Sequence, residues 1–250
     1  MSQVSVKLIM IGHIEKIIDF DLIQKHSSKF FTIEELDRIS DLPSPNKDDG
    51  YLDVIYSVEE MKNISSNITH NGLCIGIMNY KYDDNFYMHR LDNNKVCISV
   101  AGLEEILKRK DISLENFILK NIYEIFVFYK ILGSTLSDKV YDFVHDDTRG
   151  CLFDLNGDKN DIIYNTEKPI ICNECQSKIN KQATPTNFMS QLESELKKIN
   201  KPMFKSIELF IKKYPLLSIS VTIIFSTTIN ILSSYIWKLI EQYITKQSIQ

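Results

Sequence analysis

Apolar positions in the first half of the chain fall into short runs separated by polar turns. Val4–Ile11 reads as a strand, and residues 15–27 as a helix or helix–loop. Phe30–Ile33 reads as a short strand. Residues 41–50 (DLPSPNKDDG) hold two prolines and a run of turn formers, which predicts a loop. A helix is expected over 57–68, with Ser57 as N-cap and Glu60 at the third position to reach back to it. Leu73–Met78 (LCIGIM) and residues 95–100 (KVCISV) are apolar runs of strand length, as buried strands require. A turn is expected at 83–86 and a short helix at Leu103–Lys108. Ser113 then caps a long apolar helix over 114–132. Strands alternating with helices predict an α/β or α+β sheet domain. A linker is expected at 181–187 (KQATPTN), and no internal repeat is visible.

The pattern changes near the C-terminus. Residues 214–237 carry no charge and, as a helix, would be roughly 36 Å long, enough to cross a bilayer with tilt. Tyr214, Tyr235 and Trp237 stand at its ends, where aromatic side chains anchor to membrane interfaces. The run is not plain aliphatic. Thr222, Ser226, Asn230 and Ser233 step by four, four and three onto one helix face, a face suited to packing against other copies or to lining a pore. Ser220, Thr227 and Ser234 lie on an adjacent strip; hydroxyls that bond back to their own helix would need neither role. Upstream, Leu192, Leu196, Ile199, Met203 and Phe210 have a heptad-like spacing interrupted by Pro202. This is either a juxtamembrane seam or a helix packed on its own domain. The expected organisation is a head over 1–180, a linker and juxtamembrane helix over 181–213, the span at 214–237 and a short tail at 238–250.

Charge sharpens that division. Residues 191–250 hold 8 of the 29 Lys and Arg but only 4 of the 33 Asp and Glu, so the rest of the chain is acidic. An acidic head argues against general nucleic-acid binding. Lys197, Lys198, Lys201, Lys205, Lys212 and Lys213 precede the span, whereas Lys238 and Lys246 follow it. The positive-inside bias predicts a single-pass protein of the inner (plasma) membrane with a cytoplasmic head. Five cysteines and no secretory signal predict a reducing compartment. Cys74 and Cys97 lie in strand-like text and read as plain buried thiols.

The remaining cysteines form the strongest chemical signal: His145, Cys151, Cys172 and Cys175, in the order His-x5-Cys-x20-Cys-x2-Cys. Four such ligands suit tetrahedral Zn²⁺, with Asp147 or Asp154 as alternatives to His145. The metal would tie the loop after the long helix to residues 170–179. His13, His26, His70 and His89 show no ligand spacing and read as surface or turn histidines. No glycine-rich phosphate loop and no Gly-x-Ser-x-Gly elbow is present.

Residues 113–179, with SLENFILKNIYEIFVFYKILGS, HDDTRGCLFD and IICNECQSKI, resemble archaemetzincin-type metalloproteases. In that family a helix carries His-Glu-x-x-His, a His beside a Cys follows, and a Cys-x-x-Cys closes a two-zinc module. The slot for His-Glu-x-x-His falls on Tyr123-Glu124-Ile125-Phe126-Val127, where only the Glu is kept. The resemblance therefore implies a zincin-like fold with one structural zinc and no catalytic site, since a catalytic zinc needs three protein ligands and an open position.

The leading functional expectation is a non-enzymatic membrane effector. An inactive zincin-like head would sense a regulatory ligand or protein partner, a nucleotide-type signal among the candidates. It would control a homo-oligomeric span that forms a pore or disrupts the membrane. The architecture resembles bacterial anti-phage defence effectors. The alternatives are a tail-anchored adaptor and a membrane-tethered metalloprotease.

Overall fold

The computed structural model describes residues 2–48, 54–199 and 210–247. Two compact units emerge, Met1–Ile199 and Asn200–Gln250.

The first unit is a mixed α/β domain around a five-stranded sheet. Its strands are β1 (Val4–Ile11), β2 (Phe31–Ile39), β5 (Leu73–Met78), β7 (Met88–Arg90) and β8 (Lys95–Ser99), in the order β2-β1-β5-β8-β7. The first four of that order run parallel, and β7 lies antiparallel on β8 at one edge. A smaller sheet joins β3 (Lys47–Asp48), β4 (Val54–Tyr56) and β6 (Lys81–Tyr82).

The large sheet is covered on both faces, which is why its central strands read as unbroken apolar runs. Leu73, Ile75 and Ile77 of β5 enter the main core, while Cys74 and Met78 enter a second core on the other side. Gly76 points to that second side, where a Cβ would stand 2.8 Å from Ile11 Cδ1, so β5 has no room there for a side chain. Cys74 and Cys97 are free and buried, as expected, and burial pushes the Cys97 thiol up to about 12.

Helix α2 (Val58–Ile64) starts where its signals place it and stops short of 68. Ser57 Oγ accepts from the Glu60 N–H at 3.2 Å, and Glu60 Oε2 accepts from the Ser57 N–H at 2.7 Å. Glu60 Oε1 also accepts from the Asn46 N–H at 2.7 Å, tying the Pro-rich loop to the helix. Ser57→Ala is expected to lower stability by about 1 kcal/mol in a thermal melt.

Helix α1 (Phe20–Gln24) is much shorter than the 15–27 segment expected, because its N-cap is Asp19 rather than an earlier residue. Helix α3 (Leu103–Lys108) and α4 (Leu114–Ile131) match their patterns, α4 beginning at the Ser113 cap. Of the eighteen residues of α4 only Glu115 and Lys130 are not buried. A helix buried all round must be enclosed, and the chain after it, with α5 (Ile162–Glu167), α6 (Asn173–Asn180) and α7 (Phe188–Leu196), contributes to the same core.

The segment 188–199 belongs to this unit, beyond the boundary drawn at 180. Phe188, Leu192, Leu196 and Ile199 are buried in the main core, and the Phe188 ring lies 5.4 Å from Phe30. The heptad-like spacing thus follows the reading in which the helix packs on its own domain. Met203 of that spacing and Pro202, which interrupts it, lie outside the described residues, as does the end of the 41–50 loop.

In the second unit, α8 (Pro215–Gln247) is a single 33-residue helix. Proline opens it, at the position where a missing N–H costs nothing. It runs on past Trp237, so the expected tail is helical to Gln247.

Candidate metal centre

The centre is assembled by two folded-back segments and one helix start. The His145 N–H donates to the Phe153 carbonyl at 3.2 Å, and the Leu155 N–H donates to the His145 carbonyl at 3.0 Å. These bonds close the loop that carries Cys151. The Leu152 N–H donates to the Ile170 carbonyl at 2.7 Å, and the Ile170 N–H to the Gly150 carbonyl at 3.1 Å. Gly150 turns with φ +70°, a conformation that favours glycine. The second segment then delivers Cys172 as the N-cap of α6 and Cys175 within its first turn. One helical turn separates these two thiols, so both face the same point.

The candidate ligand atoms of His145, Cys151, Cys172 and Cys175 all lie within 4.8 Å of one another. Tetrahedral ligands about 2.3 Å from an ion would stand about 3.7 Å apart, so a modest contraction closes the shell. Cys151 and Cys175 are fully buried, and the His145 side chain is 8 % exposed. His145 Nε2 lies 3.6 Å from Cys172 Sγ, which makes Nε2 the ligand atom. The opposite nitrogen, Nδ1, is 3.1 Å from the Asp147 carbonyl and 3.3 Å from Asp154 Oδ1.

That carboxylate decides between the alternatives for the fourth ligand. Asp154 is buried, and its Oδ2 accepts from the Arg149 and Cys151 N–H groups at 3.0 and 2.9 Å. Its buried Oδ1 makes no hydrogen bond of its own and faces the imidazole. Asp154 is therefore placed behind His145, where a carboxylate fixes the tautomer of a metal-binding histidine and raises its basicity. Asp147 instead pairs with Arg149 at 2.7 Å, toward solvent.

Electrostatics around the sulfurs suit a cation. The Cys151 thiol is pulled down to about 5, first by a hydrogen bond from Cys175, then against burial by the N–H groups of Cys172 and Phe153. Cys175, the donor in that bond, is pushed up. A divalent ion would replace the proton they share. Arg149 approaches Cys172 Sγ at 3.8 Å and binds Glu174 at 3.0 Å, and Lys178 and Arg149 together hold the Glu174 carboxyl at about 2. The donor set, its burial and the supporting carboxylate fit a metal ion such as zinc.

The polar stretch expected between the two halves is better anchored than its composition suggests. Leu152, Phe153 and Ile162 are fully buried in the main core, and the Phe153 ring lies 5.2 Å from Phe128 of α4. Apolar docking and the candidate metal site thus hold the segment together.

Helix α4 shows what occupies the slot where the resemblance would need two more imidazoles. Tyr123 is buried, and its hydroxyl donates to Glu195 Oε2 at 2.8 Å and lies 2.8 Å from His26 Nε2. Val127 is buried in the apolar core. Glu124 is 2 % exposed and pairs with Lys120, one turn back and fully buried, at 2.9 Å. Burial favours the neutral form of both groups; for Lys120 the Glu124 carboxylate prevails, and its pKa stands above the ordinary lysine value.

Two features escaped the sequence reading. Lys120 is the only lysine inside the α4 core, and its signal was an i, i+4 Lys–Glu pair in otherwise apolar text. His26, half-buried, borders a buried cluster of Tyr123, Glu195 and Ser28, whose hydroxyl donates to Glu195 at 2.7 Å. These partners are remote in sequence and left no local pattern. His13 is exposed, His70 lies 2.9 Å from Ser5 Oγ, and His89 lies 3.0 Å from Asp84.

In α8 the segment Pro215–Lys238 is, among the described residues, the one helix long and apolar enough to cross a membrane. Leu216, Ile231 and Trp237 are 79, 70 and 68 % exposed, unlike the side chains of a soluble core helix. The hydroxyls of Thr222 and Ser226 donate to the Ser218 and Thr222 carbonyls at 2.9 and 2.8 Å. Asn230 and Ser233 complete the same face.

No protein-family model matches this chain, and comparison with curated proteins and with solved structures finds no match either.

Proposed function

We propose that this protein is a single-pass membrane effector whose head is a catalytically inactive, zincin-like sensing and oligomerisation module held by one structural zinc. The head governs self-association of the C-terminal helix, and the associated helices permeabilise the membrane, as in a cell-suicide defence against phage. The lysines that precede the span support a cytoplasmic head.

The observation that carries this reading is the exposed apolar helix Pro215–Lys238 with a polar face through its centre. The back-bonded hydroxyls of Thr222 and Ser226 leave Asn230 and Ser233 on that face, and of these Asn230 is the decisive residue. An amide carries two donors and an acceptor, more than one backbone carbonyl can meet, so it seeks partners on other helices. In support of an inert head, Tyr123 and Val127 are core residues, and Glu124 is occupied by Lys120.

Membrane potential in cells expressing the chain tests the proposal. Asn230→Leu and Ser226→Phe are expected to abolish depolarisation. Ser226→Ala should retain it, because the lost hydroxyl bonds only within its own helix. Full depolarisation by a chain ending at Lys213 would overturn the reading. The back-bonded hydroxyls also favour one second reading, a tail-anchored adaptor whose span only holds the head at the membrane.

A further inference from the structure

A cavity of about 220 Å³ lies between α4 and the antiparallel edge strand β7, roofed by the turn over residues 138–142. Phe86, Tyr87 and Phe128 supply aromatic walls, and Ile125, Val144 and Leu155 aliphatic ones. Glu124 is the buried carboxylate at its lining, and His89, also at the lining, lies 3.0 Å from Asp84. Arg90 stands at the same cavity, but its guanidinium donates to the Leu136 carbonyl at 2.6 Å and pairs with Asp138.

We propose that this cavity binds a small uncharged aromatic molecule bearing an N–H or O–H donor. Each part of that description follows from the walls. Drug-sized ligands fill cavities of about 300–1,000 Å³, so this one suits a single or fused ring. Aromatic walls favour a ring packed edge-to-face or offset. Glu124 is acceptor-only when ionised, and a ligand donor directed at it adds a hydrogen bond without adding a buried charge. An anionic ligand would bring a further negative charge beside the Glu124–Lys120 pair, where Lys120 is already bonded to Glu124 and the basic side chains at the lining, Arg90 and His89, already face Asp138 and Asp84; burying an unpaired charge is costly. Those features, with the size, make the cavity unsuited to a nucleotide.

Occupancy would be felt at the metal centre. Val144 precedes His145, and the Leu155 N–H is bonded to the His145 carbonyl. A ring against both side chains therefore braces the loop that carries His145 and Asp154. This deepens the reading of the head as a sensing module and rests on it for its purpose, but binding can be measured separately from any membrane effect.

The test uses the full metal-loaded chain in lipid nanodiscs, with 5-fluoroindole followed by ¹⁹F NMR against empty nanodiscs. Saturable binding above the empty-disc blank is expected. Val140→Trp, which fills the cavity from its rim, should weaken binding at least tenfold while metal content is unchanged. In competition, which needs no variant, 1-methylindole lacks the donor and indole-3-acetate adds a charge; each should compete at least tenfold more weakly than indole. Absence of saturable binding, or equal competition by all three compounds, would overturn the proposal. Depolarisation plays no part in this readout, so its outcome is separable from that of the effector reading.

Discussion

Replacing Cys151 or Cys175 with serine is expected to reduce bound zinc from one ion per chain to near zero. It should also loosen residues 145–179 while the five-stranded sheet stays folded. Both thiols are fully buried, and each is one of four donors converging within 4.8 Å. Removing one leaves the others as mutually repelling thiolates or as thiols that must take up protons, and metal binding is lost with the charge balance. The effect on stability should be large, on the order of 3 kcal/mol or more, though below the roughly 10–16 kcal/mol of zinc-finger peptides, which have little else to hold them. Here Leu152, Phe153 and Ile162 keep part of the segment docked. Elemental analysis and hydrogen exchange read the two effects separately. Cys74→Ser or Cys97→Ser should leave metal content unchanged. Loss of zinc on those substitutions, or its retention in Cys151→Ser, would contradict the assignment.

The second large effect is expected at Lys120–Glu124. Lys120→Met leaves Glu124 buried without its partner and should cost about 3–5 kcal/mol near neutral pH. Lys120→Met/Glu124→Leu removes both charges and should recover most of that loss, because a buried ion pair contributes little over an apolar pair of similar volume. The pH dependence gives the sign. Burial raises the Glu124 carboxyl above its ordinary value. In Lys120→Met its folded pKa therefore exceeds the unfolded one, so stability is retained below the unfolded pKa and lost as pH rises through the folded one. Glu124→Gln leaves a buried ammonium whose folded pKa falls, so its deficit should instead grow as pH drops. Thermal melts of the three variants across pH 5–8, each set against the unmodified chain, check this. Parallel profiles for the two single substitutions would mean that the pair is not buried as described.

These two sites also show what can be read from sequence. Cys172 and Cys175 were legible because a Cys-x2-Cys is local and spans one helical turn. That Asp154 stands behind His145 rather than replacing it depends on backbone bonds to Arg149 and Cys151, which no spacing reveals. Val4–Ile11, Leu73–Met78 and Leu103–Lys108 emerged at the expected bounds because their apolar runs coincide with single elements. Met88–Arg90 carries no alternation and is a strand only because β8 is beside it. Phe31–Ile39 runs past the expected end because its charged residues sit on an exposed edge, where Glu35 and Asp37 pair with Lys7 at 2.8 Å each. The i, i+3 and i, i+4 pattern of Leu192, Leu196 and Ile199 specified a buried face but not the surface that buries it. That surface is the core around Phe30 and Phe126, supplied from far earlier in the chain.

The role of the C-terminal helix is the central claim, and exchanging residues 214–237 for a poly-leucine helix of the same length tests it most directly. Such a helix keeps the anchor and removes Thr222, Ser226, Asn230 and Ser233 together. With expression and membrane insertion matched, the account predicts that the exchanged chain no longer depolarises cells that the native chain depolarises. Undiminished depolarisation by the poly-leucine chain would contradict it and leave the span as an anchor for the head.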